Sequence, residues 1–315
     1  MLSRHASSLY WLGRYQERAE YLARYLQVKY FSSMDSTQLE YRDFALHSIL
    51  FMSSGVAPEE EKADEGEVLW EVSLNPESST SIFSYIKEVR NNTRGIRNLI
   101  SNELWESVNK NYHFVKNFNP DYLQTRGLFE FTQGIQQNLS IFHAKLDSTI
   151  LHDNVWSFIK LGIYMERIYQ ITRSLINTLI DINALTGDKE NQTISSYQWI
   201  ITLNALEATD MTRKLFKSQV QQNSACEFLM TNLDFPRSIS FCFAQVNELV
   251  KKIKNSPEQV NYDRNSLEFK GAKLAAFLKY LDFEEIEGTL DQLLNYVLQE
   301  VMELNDSIHR EFFDS

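Results

Sequence analysis

The chain has 315 residues and a formal net charge of -11 at pH 7. An acidic chain argues against general binding to a nucleic-acid backbone, which usually takes a basic surface. Its 10 glycines and 5 prolines are few for a fold with phosphate-binding glycine loops or for an all-β fold rich in turns. The composition therefore predicts an all-α protein.

No stretch of the chain has the roughly 18 apolar residues that a membrane span needs. No signal-peptide pattern precedes Arg14. We therefore expect no membrane association and a cytoplasmic location. The two cysteines, Cys226 and Cys242, are expected to be reduced and buried.

The hydrophobic periodicity predicts helices along the first part of the chain, and Ser36 or Thr37 is expected to cap the second of them. Pro76 is expected to start the third helix of this part of the chain, and Pro120 is expected to start its fifth helix, because proline is tolerated in a first turn. The segment 55–67 is acidic and rich in breakers, which predicts a loop. The predicted helices span about residues 3–31, 36–53, 76–102, 103–113 and 121–149.

The second part of the chain is predicted to be helical in the same way, with a short loop over 185–192. No alternation with a period of two residues indicates a strand. The predicted helices span about residues 153–183, 195–223, 236–255, 266–282 and 284–312.

One motif occurs twice. The pattern L-G-x-Y-x-E-R-x5-R begins at Leu12 and recurs 149 residues later, at Leu161. Weaker similarities follow at nearby offsets. They predict a duplicated helical unit of roughly 150 residues, comparable to an ordinary domain. The expected architecture is a large helical bundle of two pseudo-repeated halves, about 1–147 and 148–315, that share one core.

The repeated motif places polar residues opposite a leucine-rich stripe on its helix. At about 100° per residue, Gly13, Glu17 and Arg24 fall within about 40° of one another, and Arg18 lies on a flank. Glu166, Arg167 and Arg173 are the equivalents in the second copy. One interpretation is a set of buried ion pairs between the halves, which fix register more than they stabilise. The other is that both copies line one polar cleft.

A second basic pattern comprises Arg90, Arg94 and Arg97, which share one helix face by their i, i+4, i+7 spacing. Glu103 and Trp105 follow shortly after. Arginine forks suit carboxylates and phosphates. Either these arginines bind an anionic ligand, or they pair with carboxylates of the chain such as Glu17 and Glu166.

Two further candidates lie at predicted helix starts. The segment 234–238 contains Arg237, and its backbone N–H groups would suit an anion. An ordinary helix cap is the alternative there. Asp153 precedes the second motif helix and is expected to cap it or to join the polar cleft. The six histidines show no metal-ligand spacing, so we expect no metal and no cofactor.

The opening residues Ser8–Tyr15, followed by Glu17–Glu20, closely resemble the start of the Alpha-E family, a bacterial all-α family named for its Glu-Arg motif. The resemblance covers essentially the whole chain, 1–315, as one domain. The chain departs from the family pattern at Asn91, where glutamate is usual, and at Ile163, where arginine is usual.

Members of that family are encoded beside ATP-grasp ligases and transglutaminase-like proteins, so the resemblance implies a role in making or processing a peptide or amide. It brings no established catalytic activity. An accessory protein that binds the ligase or its peptide product through an Arg/Glu-lined cleft is one hypothesis. An enzyme with Glu17 or Glu166 as acid or base is the alternative, and a helical scaffold without a ligand site is a third.

Overall fold

The computed structural model describes residues 1–34, 39–55, 63–187, 191–217, 220–255, 263–283 and 290–314. Every regular element in these ranges is a helix, which confirms the all-α prediction. The α-helices are α1 (Ser3–Met34), α2 (Leu39–Ser54), α3 (Glu65–Ser73), α4 (Ile82–Gly95), α5 (Asn102–Lys116), α6 (Arg126–Thr149), α7 (Asn154–Thr186), α8 (Gln192–Ala205), α9 (Thr209–Phe216), α10 (Gln222–Thr231), α11 (Ile239–Lys254), α12 (Leu267–Lys279) and α13 (Leu290–Phe312). Short 3-10 helices cover Arg97–Leu99 and Pro120–Tyr122.

The chain forms two compact units. The first unit is Trp11–Ile159, and the second is Met1–Tyr10 together with Lys160–Ser315. The two copies of the repeated motif lie on α1 and α7, the longest described helices, with 32 and 33 residues. The duplication of a whole helical unit stays a prediction.

In the first unit, α5 packs against both α4 and α6. Helix α6 buries one face, along which Leu128, Phe131, Ile135 and Phe142 recur at helical spacing. Its contacts with α1 are partly polar, and Gln136 Nε2 donates to Gln27 Oε1 at 2.6 Å.

In the second unit, α10 packs against α8, α9, α11 and α12, while α12 also packs against α11 and α13. Helix α13 is amphipathic, and a spacing of three or four residues separates its buried members. These are Leu290, Leu294, Val297, Val301, Leu304, Ser307 and Ile308. None of the described helices combines the length and the apolar character that crossing a membrane requires.

The predicted helix start at Pro76 is wrong. Helix α3 (Glu65–Ser73) already precedes this proline, and its first three residues lie in the segment 55–67 predicted to be a loop. Asp64 caps α3 by accepting a hydrogen bond from Glu67 N at 2.9 Å. The next helix starts only at Ile82, where Ser81 Oγ accepts from Ser84 N at 3.1 Å. A serine cap placed five residues after Pro76 therefore decides this boundary.

The helix predicted over 195–223 covers two separate helices, α8 and α9, and the first two residues of α10. Glu207 and Lys217 have φ values of 54° and 50°, a left-handed backbone that ends a helix. Likewise, Pro120 opens only a 3-10 turn, and α6 starts at Arg126. The proposed caps Ser36 and Thr37, and residues 284–289 of the last predicted helix, lie outside the described residues.

Candidate functional site

The two motif helices are buried around most of their circumference. Glu17 is 1 % exposed and Glu166 is 0 % exposed, as deeply covered as the leucines of the same helices. The polar and apolar faces predicted from the sequence thus differ in chemistry but not in burial. Buried charges need paired or hydrogen-bonded partners to offset desolvation, so their contacts define what each copy does.

In the first copy, Arg24 Nη1 lies 3.0 Å from Glu20 Oε1, a buried i, i+4 ion pair. The other oxygen of the same carboxylate, Oε2, lies 3.1 Å from His143 Nε2 on α6. Arg18 places its guanidinium 5.4 Å from the ring of Tyr85, a cation–π contact. These three contacts of the first copy, an ion pair, a His–Glu contact and a cation–π contact, all lie within its own unit.

In the second copy, Gln170 Nε2 donates to Glu166 Oε1 at 2.6 Å. Arg167 Nη1 donates to the carbonyl oxygen of Pro236 at 3.2 Å, and Arg173 lies over the ring of Tyr169 at 5.5 Å. The side-chain amide of Gln170, four residues after Glu166, is therefore a hydrogen-bond partner of the Glu166 carboxylate.

Arg237, predicted to help hold an anion, is paired with a carboxylate of the chain. Its Nη2 lies 2.8 Å from Glu207 Oε2. Ser238 caps α11 through a hydrogen bond from Phe241 N at 3.1 Å. This geometry favours the ordinary cap over an anion site at 234–238.

The arginine stripe has a different environment. Arg90 lies on α4 with its guanidinium 4.6 Å from the Tyr112 ring and 6.0 Å from the Trp105 ring, while its Nε donates to Asn109 Oδ1 at 2.8 Å. The guanidinium of Arg97 also lies near the Trp105 ring, 5.7 Å from its centroid. These contacts hold two planar guanidinium groups on α5 without neutralising either charge.

Arg94 is exposed in the last turn of α4, between Arg90 and Arg97 in the sequence. Within the described part of the chain, none of these three arginines forms an ion pair with a carboxylate. In the described part of the chain, the three arginines therefore do not form the expected ion pairs with Glu17 or Glu166. We call the set Arg90, Arg94, Arg97, Trp105 and Tyr112 the arginine–aromatic surface.

Two predicted acidic residues serve helix ends. Asp153 Oδ1 accepts from Val155 N at 2.8 Å in the first turn of α7, as expected for a cap. It also borders a recess of about 210 Å³ with Ser101 and Thr149. Glu103 is exposed in the first turn of α5, where a carboxylate complements the positive end of the helix dipole.

Three contributing residues were missed from the sequence: Glu20, His143 and Tyr112. The i, i+4 spacing of Glu20 and Arg24 was a readable signal, since such pairs recur on helices. Tyr112 follows Trp105 by seven residues on one face of α5, which was equally readable. For His143, 123 residues from Glu20 in the chain, no local pattern exists.

The comparisons with known proteins agree with the all-α architecture and the motif. A family model, Alpha-E, described as a predicted alpha-helical domain with a conserved ER motif, matches residues 1–313. No curated protein and no solved structure matches the chain. With the match running over essentially its whole length, and with Glu17-Arg18 and Glu166-Arg167 on its two longest helices, this chain belongs to the Alpha-E family.

Proposed function

We propose that this protein is a non-catalytic accessory component of a cytoplasmic peptide- or amide-bond-forming system. Its arginine–aromatic surface binds a carboxylate-bearing peptide, the product of an ATP-grasp-type ligase. The single observation behind this proposal is the exposed Arg94 flanked by two arginines that aromatic rings hold in place. Pre-oriented guanidinium groups lose less conformational entropy when they bind a carboxylate.

The chemistry of the surface fits a peptide carboxylate better than a simple ion. Arginine donates two parallel hydrogen bonds to a carboxylate, and Trp105 and Tyr112 offer apolar area beside it for a side chain or a peptide plane. All five residues come from α4, α5 and the 3-10 helix between them. Side chains that project from helices are held more rigidly than side chains on loops, which suits the recognition of a ligand.

The enzyme alternative is less well supported. A general acid or base must reach the proton that it transfers. Glu17 and Glu166 are 1 % and 0 % exposed, so neither carboxylate faces solvent from which a substrate would approach. We therefore favour binding over catalysis by these residues.

The proposal is tested with a fluorescein-labelled acidic peptide that has free carboxylates, and with its fully amidated twin. We expect the wild-type protein to raise the anisotropy of the acidic peptide only. Arg94→Ala should weaken binding about tenfold or more, because a hydrogen bond to a charged group contributes about 1.5–3 kcal/mol. Arg94 is exposed and forms no hydrogen bond, ion pair or ring contact with another described residue, so the variant should fold normally.

Arg126→Ala is the matched control, since Arg126 is an exposed arginine of the same unit whose side chain pairs with Glu130 at 3.0 Å. This variant should bind the acidic peptide like the wild type. Equal binding of both peptides, or an equal loss in both variants, would refute the carboxylate site. A different outcome is that an ATP-grasp ligase or a transglutaminase-like protein co-purifies with the wild type and not with Arg94→Ala. The ligand of this surface would then be that partner protein and not a free peptide.

A further inference from the structure

A buried cluster in the first unit has the composition of a metal site. One carboxylate oxygen from each of Glu17 and Glu20, and one ring nitrogen of His143, all lie within 4.8 Å of one another. The two glutamates lie three residues apart on α1, and the histidine comes from α6. Phe31 and Phe129 also meet between these two helices, with ring centroids 6.1 Å apart. Two packed helices thus fix the three side chains.

The closest pair in the cluster already has the spacing of two ligands on one ion. His143 Nε2 lies 3.1 Å from Glu20 Oε2. Around a cation with bonds of about 2.0–2.2 Å to nitrogen and oxygen, adjacent ligands are roughly 3.0–3.5 Å apart. Glu17 needs only a side-chain adjustment within the 4.8 Å limit to complete a three-ligand set.

Arg24 orients the central carboxylate. It lies 3.0 Å from Glu20 Oε1, the oxygen that does not face His143. Oxygen Oε2 is therefore presented to the histidine while Oε1 is held from outside. Hydrogen-bonded partners behind a ligating carboxylate are the usual second layer of metal sites.

Gln16 supplies an independent indication of a ligand. It is 1 % exposed, and its carbonyl oxygen Oε1 accepts no hydrogen bond from any described residue. Gln16 precedes Glu20 by one helical turn. Because helical side chains lean toward the N-terminus, the side chain of Glu20 extends over the turn that carries Gln16. A buried amide oxygen without a donor is costly, and a cation or a water bound to one would satisfy it.

The cluster belongs to the first motif copy alone. At the same offset of 149 residues, Tyr169 occupies the position of Glu20, and Met165 that of Gln16. Glu166, the equivalent of Glu17, accepts a hydrogen bond from Gln170 at 2.6 Å. A structural role common to both motif copies would not need the extra glutamate, histidine and amide.

The cluster is also reachable. The side chain of His143 is 24 % exposed, whereas that of Glu20 is 9 % exposed. An ion would therefore enter along the histidine. Carboxylate and imidazole together, without a thiolate, suit a borderline cation such as Zn²⁺.

We propose that Glu17, Glu20 and His143 bind one divalent transition-metal cation, best matched by Zn²⁺, with Arg24 as the residue that positions Glu20. This site does not depend on the arginine–aromatic surface or on the function proposed for it. This proposal differs from the expectation drawn from the sequence, where the histidines show no metal-ligand spacing. The ligands come from two helices that are far apart in the sequence but packed together in the fold, so no local spacing indicates them.

The test is calorimetric titration of Zn²⁺ into the full-length protein after treatment with a chelator and its removal. We expect one Zn²⁺ per chain. His143→Gln and Glu20→Gln should each weaken Zn²⁺ binding at least tenfold, since each removes one of three ligands. His113→Gln removes an exposed histidine of the same unit and should leave the titration unchanged.

Co²⁺ provides a second readout, because its visible absorption reports directly on the ligands around it. The wild type should show bands that His143→Gln lacks. If Glu20→Gln fails to fold, His143→Gln still decides the matter, since that side chain lies partly at the surface. Absence of stoichiometric Zn²⁺ binding by the wild type, or equal affinity in wild type and His143→Gln, would overturn the proposal and leave an ordinary His–Glu contact.

Discussion

Gly127 lies in the first turn of α6, close to the end of the preceding 3-10 helix. A Cβ atom at this position would lie 1.5 Å from the carbonyl oxygen of Tyr122. Since that atom belongs to the backbone, it cannot rotate away. We expect Gly127→Ala to lower the free energy of unfolding by about 1–3 kcal/mol, the usual cost of forcing an extra methyl group into a packed region.

Urea denaturation followed by circular dichroism measures this change. Gly95→Ala is the matched control, because a Cβ on Gly95 at the end of α4 meets nothing within 4 Å. There alanine should be neutral, or stabilising by at most about 1 kcal/mol, through its better helix propensity. A Gly127→Ala protein as stable as the control would show that the 120–126 segment adjusts freely.

For individual residues, the sequence predicted contacts between residues that are close in the chain and missed contacts between residues that are far apart in it. The i, i+4, i+7 spacing of Arg90, Arg94 and Arg97 identified a shared surface, since helical geometry alone sets it. It did not reveal that Arg90 would lie over Tyr112, because that depends on how α4 packs on α5. The contact of His143 with Glu20 depends on the pairing of α1 with α6, which no local pattern encodes.

At the scale of elements, Lys254 joins three helices of the second unit. On α11, it pairs with Glu268 on α12 at 2.5 Å and with Glu311 on α13 at 2.9 Å. Partial burial by itself would lower the pKa of Lys254, but hydrogen bonds to the two carboxylates outweigh it and raise that pKa. For Glu268, partial burial would raise the pKa, yet the hydrogen bond and charge of Lys254 lower it.

Because the folded-state pKa of Glu268 is lowered, its contribution to stability is present above the ordinary value of 4.5 and is lost as the pH falls through the folded-state pKa. The raised pKa of Lys254 works in the opposite sense. Its contribution is complete below the ordinary value of 10.5 and is lost as the pH rises through the folded-state pKa. The network is therefore intact over the whole neutral range.

We expect Glu268→Gln to cost about 1 kcal/mol at pH 7, since the pair is only partly exposed and Glu311 remains. The difference from wild type should shrink below pH 4.5 as Glu268 becomes protonated. Urea unfolding at several pH values measures it. Glu248→Gln, which removes an exposed i, i+3 partner of Lys251, should have almost no effect at any pH. A difference for Glu268→Gln that stays constant down to pH 3 would contradict the ion-pair assignment.

Helix existence was readable from the sequence, and helix boundaries were less so. The long periodic segments correspond to α1, α6 and α7 because tens of residues support each pattern. The break between α8 and α9 depends on a single residue, Glu207, in a left-handed conformation that glutamate rarely adopts. The sequence pattern does not indicate such a residue, so α8 and α9 were predicted as one helix.

At the scale of the whole molecule, the repeated motif marks the helices that are most deeply buried, not an exposed site. Glu17 and Glu166 are as covered as core leucines. The exposed Arg94 of α4 lies outside the motif, so the surface proposed for binding and the feature that names the family are separate parts of the chain. A substitution in the motif should therefore affect stability before it affects peptide binding.

Net charge adds a condition on what the arginine–aromatic surface can bind. The chain carries -11 at pH 7, so a long polyanion that reached Arg94 would be repelled by the rest of the molecule. A short peptide carboxylate occupies little more than the surface itself and escapes most of that repulsion, which salt screens within about 10 Å. We therefore predict selectivity for compact anions.

The measurement is fluorescence anisotropy of a labelled DNA duplex of about 20 base pairs, titrated with protein to about 10 µM at about 150 mM salt. We expect no change with the duplex under conditions in which the acidic peptide binds. Lower salt should not rescue duplex binding, because the repulsion grows as screening falls. Binding of the duplex that rises at low salt and disappears in Arg94→Ala would contradict this prediction and would show that local arginines outweigh the charge of the whole chain.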